Sequence, residues 1–221
     1  MAPKLIVFDL DGTLVDSTND LATAMNGTLA RLAPGAPPLP IDVVRSYIGE
    51  GAGQLVSRSL ARAGLQVAQG TAMQHFLELY AACLLDTTRA YPGVTEALDA
   101  LADRPLTVLT NKAGGFSRTI LQGLGLLARF AAVVGGDEMP ARKPDPAGLL
   151  SMMQRFAVAP AETLFVGDSA VDVATARAAG VHVVGLRYGL DPEGLVAAGP
   201  DLLLERLDQL PAYLASGSVL G

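Results

Sequence analysis

The sequence predicts an α/β fold, a Rossmann-like doubly wound parallel sheet core with an inserted all-helical cap domain. Three observations carry that expectation. Short apolar, β-branched runs recur, each followed by Asp, Thr, Asn or Gly; helix-period stretches separate the later runs; and one long segment near the N-terminus is helical in pattern with no convincing strand. Strands that alternate with helices build βαβ units, whose strands pair in parallel.

The first run, Leu5 to Phe8, ends on Asp9 and Asp11. Residues 16–88 then leave the strand–helix rhythm and include a Pro-rich loop, Pro34 to Pro40, so they read as the insert, with residues 1–15 and 89–221 as the core. A helix is expected from Pro92 to Asp103, with Pro92 in its first turn, where its missing N–H costs nothing. Strand Leu106 to Leu109, helix Phe116 to Leu124, a strand at Val133 and Val134 and helix Pro146 to Phe156 follow. The pattern closes with strand Leu164 to Val166, helix Ala170 to Ala179 and strand Val181 to Val184, with Gly180 as a left-handed helix cap. The final residues, Ala215 to Gly221, read as a frayed or loosely docked tail.

Composition narrows the function. A net charge of −6 and a pI near 4.8 repel nucleic acid and anionic membrane surfaces, and no local basic patch offsets them. Mean hydropathy is +0.37, yet no apolar run reaches the roughly 18 residues that a membrane span needs. The N-terminal apolar stretch is cut by Asp9 and lacks a small-residue cleavage site, so the expected location is cytoplasmic. A single cysteine, Cys83, rules out an internal disulfide framework, and two distant histidines, His75 and His182, argue against zinc.

In open parallel sheets ligands bind at the carboxyl ends of the strands, where strand order reverses. The residues there are Asp9 and Asp11, then Thr110 and Asn111, then Asp168. Carboxylates gathered at one rim repel, and a hard cation is the natural compensation. Oxygen ligands without nitrogen or sulfur point to Mg²⁺, which shares its shell with phosphate oxygens. A small-molecule phosphate ester is the substrate class this suggests. Lys143, in "ARKPDP", adds a positive charge on a loop stiffened by Pro144 and Pro146.

"FDLDGTLVDS", "LTNK", "RKPDP" and "FVGDSAVD" resemble, in order and spacing, the four motifs of the haloacid dehalogenase superfamily, phosphatase branch. With "YIGEGAGQLVSRSL" in the insert and "GLRYG" later, the chain is most similar to phosphoglycolate phosphatases with a small helical cap. The resemblance implies a Mg²⁺-dependent phosphatase acting through an aspartyl phosphate, with 2-phosphoglycolate the leading substrate. It implies Asp9 as nucleophile and Asp11 as acid and base, which explains why two acids stand one residue apart. Thr110 and Lys143 are then expected to hold the phosphate, with Asn111, Gly12 and Thr13 shaping its pocket. Mg²⁺ is expected at Asp9, Asp168 and the backbone carbonyl of Asp11, with Asp172 adjoining. Gly49, Glu50 and Gly51 are expected in a loop over the substrate, and Arg45, Arg58 or Arg62 near a substrate carboxylate.

Other readings stand beside these. Sugar-phosphate, amino-sugar-acid phosphate and pyrophosphate phosphatases, a phosphosugar mutase and a phosphate-binding module without turnover share the motifs; Asp11 argues against a dehalogenase. "DLDG" fails as a calcium loop because Thr13 and Leu14 occupy its fifth and sixth positions. "GEGAGQ" fails as a dinucleotide loop because Gln54 replaces the third glycine. "SAVD", Ser169 to Asp172, is also a helix capping box, and Lys143 or the arginines taken singly are solvated charges. The histidines read as structural, Cys83 as a small packed hydrophobe, and the assembly as monomer or homodimer.

Overall fold

The structure, a computed structural model, describes residues 3–217. The chain enters at β1, Leu5–Phe8, and then makes a two-residue strand β2, Val15–Asp16, paired antiparallel with β3, Arg89–Ala90. Strands β4 Leu106–Leu109, β5 Ala132–Val134, β6 Thr163–Gly167, β7 His182–Leu186 and β8 Leu202–Leu204 join β1 in one sheet. Its order is β5-β4-β1-β6-β7-β8, parallel throughout. Strand order therefore reverses across β1, and a crevice opens at the carboxyl ends of β4, β1 and β6.

The continuous apolar character of β1 follows from this placement. Ile6 and Phe8 enter one apolar cluster, Leu5 and Val7 the other, and all four are fully buried. A central parallel strand is covered on both faces, so it shows no alternation with polar residues.

Between β2 and β3 lie four helices, α1 Thr18–Leu32, α2 Ile41–Arg45, α3 Ala52–Arg62 and α4 Gln69–Cys83. Their inward residues Leu21, Met25, Leu55, Phe76 and Tyr80 join the cluster that holds Ile6 and Phe8. The ends of this helical stretch are tied by one acid. Asp20, in the first turn of α1, accepts hydrogen bonds from the amides of Thr87 (3.0 Å) and Thr88 (2.8 Å) and from both threonine hydroxyls. Burial works against the charge of Asp20, but these donors outweigh it and hold its pKa below 3.8.

A depressed carboxylate stabilises the fold above its unfolded pKa and loses that effect as pH falls through the folded value. Asp20→Ala strands these donors and is expected to cost about 2–3 kcal/mol at neutral pH. In thermal melts across pH, the gap between wild type and variant should narrow below pH 3.8. A gap that does not change with pH would mean that the carboxylate charge contributes nothing.

After β3 the helices are α5 Val94–Ala100, α6 Gly114–Gly123, α7 Ala147–Phe156, α8 Ala170–Ala178, α9 Pro192–Ala198 and α10 Leu210–Ala215. Gly180 takes a left-handed φ of 68° after α8, as its position leads one to expect. The expectation for Pro92 is corrected: Gly93, with φ 85°, breaks the chain first, so Pro92 precedes the helix instead of starting it. Sequence patterning also missed β8, a three-residue edge strand defined by its pairing with β7, and the short α9 and α10. Of the expected tail, Ala215 closes α10, Ser216 and Gly217 follow in a turn, and residues 218–221 lie outside the described residues.

Candidate active site

Backbone pairing continues one residue past the strands and sets the rim. The Asp9 amide donates to the Val166 carbonyl (2.9 Å), and that of Thr110 to the Val134 carbonyl (3.1 Å). The side chains of Asp9 and Thr110 therefore emerge at the crevice, beside Asp168 at the end of β6. Gly12 makes the close approach possible: at φ +87°, a Cβ there would lie 2.2 Å from Asp168 Oδ2.

Asp168 is fixed by both oxygens. The Thr13 hydroxyl donates to Oδ1 (2.8 Å) and the Leu190 amide to Oδ2 (2.7 Å). Asp172, in the first turn of α8, is held as firmly. Its Oδ2 accepts from the Asp168 amide (3.1 Å), the Ser169 amide (3.1 Å) and the Ser169 hydroxyl (2.7 Å), and its Oδ1 from Lys143 Nζ (2.7 Å). The capping box read from "SAVD" is thus present, and it also orients a carboxylate toward the crevice. Lys143 arrives on the loop before α7, buried, with Nζ 2.9 Å from Asp9 Oδ1.

Asp9, Asp168 and Asp172 each place an oxygen within 4.8 Å of the others. Three buried acids face the single ammonium of Lys143, an excess of negative charge in a medium that screens poorly. Burial pushes the Asp9 carboxyl up to about 6, against the pull of Lys143 and with Asp172 adding to the rise. Burial, then Asp172 and Asp9, push Asp168 well above the usual carboxylate range. For Lys143 burial opposes the charge, but Asp172 and Asp9 more than offset it and raise its pKa. Asp9 Oδ1 is buried with Lys143 Nζ 2.9 Å away, a cation that it shares with Asp172. Three buried carboxylates around one ammonium, in an all-oxygen cluster, fit a hard divalent cation.

Asp11 turns away from that cluster. Its two oxygens lie 3.0 and 2.9 Å from Lys112 Nζ, and the Ser17 hydroxyl donates to Oδ1. Its side chain is therefore not one of the grouped carboxylates; the carbonyl route expected for Asp11 involves the backbone alone. Burial opposes the Lys112 charge, but the Asp11 carboxylate more than offsets this and raises its pKa. Lys112 received no role from the sequence, although it stands inside the quoted "LTNK". Strand periodicity gives no signal for it, because Asn111 and Lys112 lie in a bend past β4 where the Lys112 amide donates to the Thr110 hydroxyl (3.2 Å).

From the insert, the Gly49 carbonyl accepts from Asn111 Nδ2 (2.9 Å), which also donates to the Lys143 carbonyl (3.0 Å). Arg45 donates to the Gly189 carbonyl (2.7 Å), so it reaches the rim but is occupied there by backbone. Glu50 pairs with Arg58 at 2.5 Å, which neutralises the acid that stands over the crevice. Gly51 caps the start of α3, and Arg62 is exposed at the far end of that helix. Cys83 is buried in α4, and His182 lies on the sheet 3.5 Å from Asp201.

Two cavities meet at the acid pair. One, of about 270 Å³, is lined by Asp9, Asp11, Arg45, Glu50 and Asp168. The other, of about 60 Å³, runs under the insert between Thr110 and Lys112 on one side and Tyr80 and Phe76 on the other.

The profile described as haloacid dehalogenase-like hydrolase matches residues 6–186. A phosphoglycolate phosphatase of Rhodospirillum rubrum is 45% identical over 206 residues, covering 89% of this chain and 85% of that protein. One of Chromobacterium violaceum is 37% identical over 220 residues, 97% of each chain. Among solved structures, a predicted phosphoglycolate phosphatase from Haemophilus somnus superposes with a TM-score of 0.89 at 33% identity, covering 94% of this chain and 96% of that one.

Proposed function

The chain belongs to the haloacid dehalogenase-like hydrolase family, and from that premise we propose that it hydrolyses 2-phosphoglycolate through a phosphorylated Asp9. It is a phosphoric monoester hydrolase. The observation that supports the roles best is Asp9 itself: a buried carboxylate at the switch point, 2.9 Å from Lys143 and grouped with Asp168 and Asp172.

The phosphoryl group binds against Lys143 and the Thr110 hydroxyl, with Asn111, Gly12 and Thr13 shaping the pocket around it. A carboxylate oxygen of Asp9 attacks phosphorus, and the bond from phosphorus to the ester oxygen breaks. Asp11, which must carry a proton in the substrate complex, gives it to the departing alkoxide and is left as the carboxylate paired with Lys112. Asp11 then takes a proton from water, the water oxygen attacks phosphorus, and Asp9 is released together with inorganic phosphate. Asp9, Asp168 and the Asp11 carbonyl, with Asp172 adjoining, would hold Mg²⁺, which neutralises the acids and the phosphate oxygens. Lys143 works at the same charges from the opposite side, which stabilises the equatorial oxygens of the transition state.

Residues 16–88 act in this reading as a cap that closes over the substrate and excludes water. The bonds from Asn111 to Gly49 and from Arg45 to Gly189 belong to the closed arrangement. No helix among the described residues is long and apolar enough to cross a membrane, and the proposed setting is the cytoplasm with a small diffusible ester.

The test is phosphate release across 2-phosphoglycolate, hexose phosphates, an amino-sugar-acid phosphate, nucleotides and pyrophosphate. The highest kcat/KM is expected for 2-phosphoglycolate. A higher value for another ester reassigns the substrate, isomerised hexose phosphate indicates a mutase, and Mg²⁺-linked binding without release indicates a binding module. Asp168→Asn is expected to raise the Mg²⁺ concentration for half-maximal rate at least about tenfold. An unchanged metal dependence would remove Asp168 from the ligand set.

A further inference from the structure

The smaller cavity has an uneven lining. Leu21, Leu55, Phe76 and Phe116 form apolar walls, and two buried groups with hydrogen-bonding capacity left over face the space between them. Lys112 is 8% exposed; of the three N–H donors of its ammonium, the two oxygens of Asp11 take two. Tyr80 is 2% exposed, and its hydroxyl makes no well-aligned hydrogen bond, although Lys112 and Ser17 lie within its reach. Burial pushes that phenol up to about 12, so it remains a donor at neutral pH.

The position of Tyr80 is not accidental slack. Its ring stacks on Phe76 (centroids 5.6 Å apart) and meets Phe116 edge-on (5.2 Å), while Lys112 Nζ lies 4.9 Å from the ring centroid. Two aromatic contacts fix the ring, and a buried hydroxyl left unpaired costs about 1–3 kcal/mol. Such an orphan beside a buried ammonium is a site for an anion with at least two acceptor oxygens.

We propose that Lys112 and Tyr80 form a carboxylate subsite that selects phosphate esters whose alcohol carries an acid group next to the ester oxygen. The inference rests on the phosphatase reading and deepens it. Lys112 is joined to Asp11, the residue that protonates the ester oxygen, so an acid group one carbon from that oxygen lies on the Lys112 side of the leaving group. The apolar walls give sugar hydroxyls no partners, which selects against polyols. Tyr80 comes from α4 of the insert and Lys112 from the core, so the subsite exists only when the two are together.

The experiment compares kcat/KM for 2-phosphoglycolate and for ethyl phosphate, in which a methyl replaces the carboxylate, with p-nitrophenyl phosphate as a general ester. Both alkyl substrates use Asp9 and Asp11, so their ratio cancels damage to the common chemistry. Wild type should favour the acid ester by about 100-fold or more. Lys112→Met should reduce that preference at least about tenfold, and Tyr80→Phe about threefold or more. Should Lys112→Met fail to fold, Tyr80→Phe decides alone, because it removes one oxygen atom and keeps the ring contacts.

A preference unchanged in the folded variants overturns the subsite. If wild type turns over ethyl phosphate as well as 2-phosphoglycolate, the subsite falls and the phosphatase stands. If it releases phosphate from none of the three, the phosphatase reading falls and takes the subsite with it.

Discussion

Asp9→Asn is expected to abolish phosphate release, by at least about 10⁴-fold in kcat, while leaving the protein folded. The amide keeps the shape of the side chain but has no anionic oxygen to attack phosphorus. Stability should not suffer. Asp9 stands in a buried cluster of acids that outnumber their lysine, so removing one charge relieves repulsion with Asp168 and Asp172. Melting in the presence of a chelator at neutral pH should occur at or above the wild-type temperature. Steady-state phosphate release and a thermal melt check both halves, and near-normal turnover would take the nucleophile's role from Asp9.

Asp11→Asn should lower kcat by about 10²- to 10⁴-fold, the usual worth of a general acid and base. Here the stability effect has the opposite sign. Asp11 is the counter-charge of the buried Lys112, and removing one partner of a buried ion pair costs about 3–5 kcal/mol. Two isosteric changes two residues apart should thus both damage catalysis but shift the melting temperature in different directions. The loss of rate should also be larger for an alkyl ester than for p-nitrophenyl phosphate, whose leaving group departs without a proton. A loss below about tenfold on the alkyl ester would remove Asp11 from proton transfer.

Much of the candidate site was legible in the chain because strand-end chemistry is local. β1 and β4 were found at their observed bounds, and the residues just past β1, β4 and β6 are the ones that line the crevice. Burial on both faces makes central strands read as unbroken apolar runs, and the acids that follow them are conspicuous by contrast. Three-residue β8 carries no such signature, since an edge strand takes its definition from its neighbour. The double role of "SAVD" is a milder case. The capping box is legible from four residues, whereas the pairing of Asp172 with Lys143 spans 29 positions.

The sequence by itself determined the α/β class, the helical stretch after the first strand and the acids that follow β1 and β6. Those follow from periodicity and from motifs whose residues are near neighbours in the chain. Tertiary structure alone decided which charge faces which. Lys143 joins Asp9 and Asp172, Lys112 joins Asp11 across 101 positions, Glu50 is neutralised by Arg58, and Arg45 is taken by a backbone carbonyl. A lysine carries the same charge whether it is solvated or buried. What changes its role is the loss of water and the approach of a partner from distant chain, and both are properties of packing.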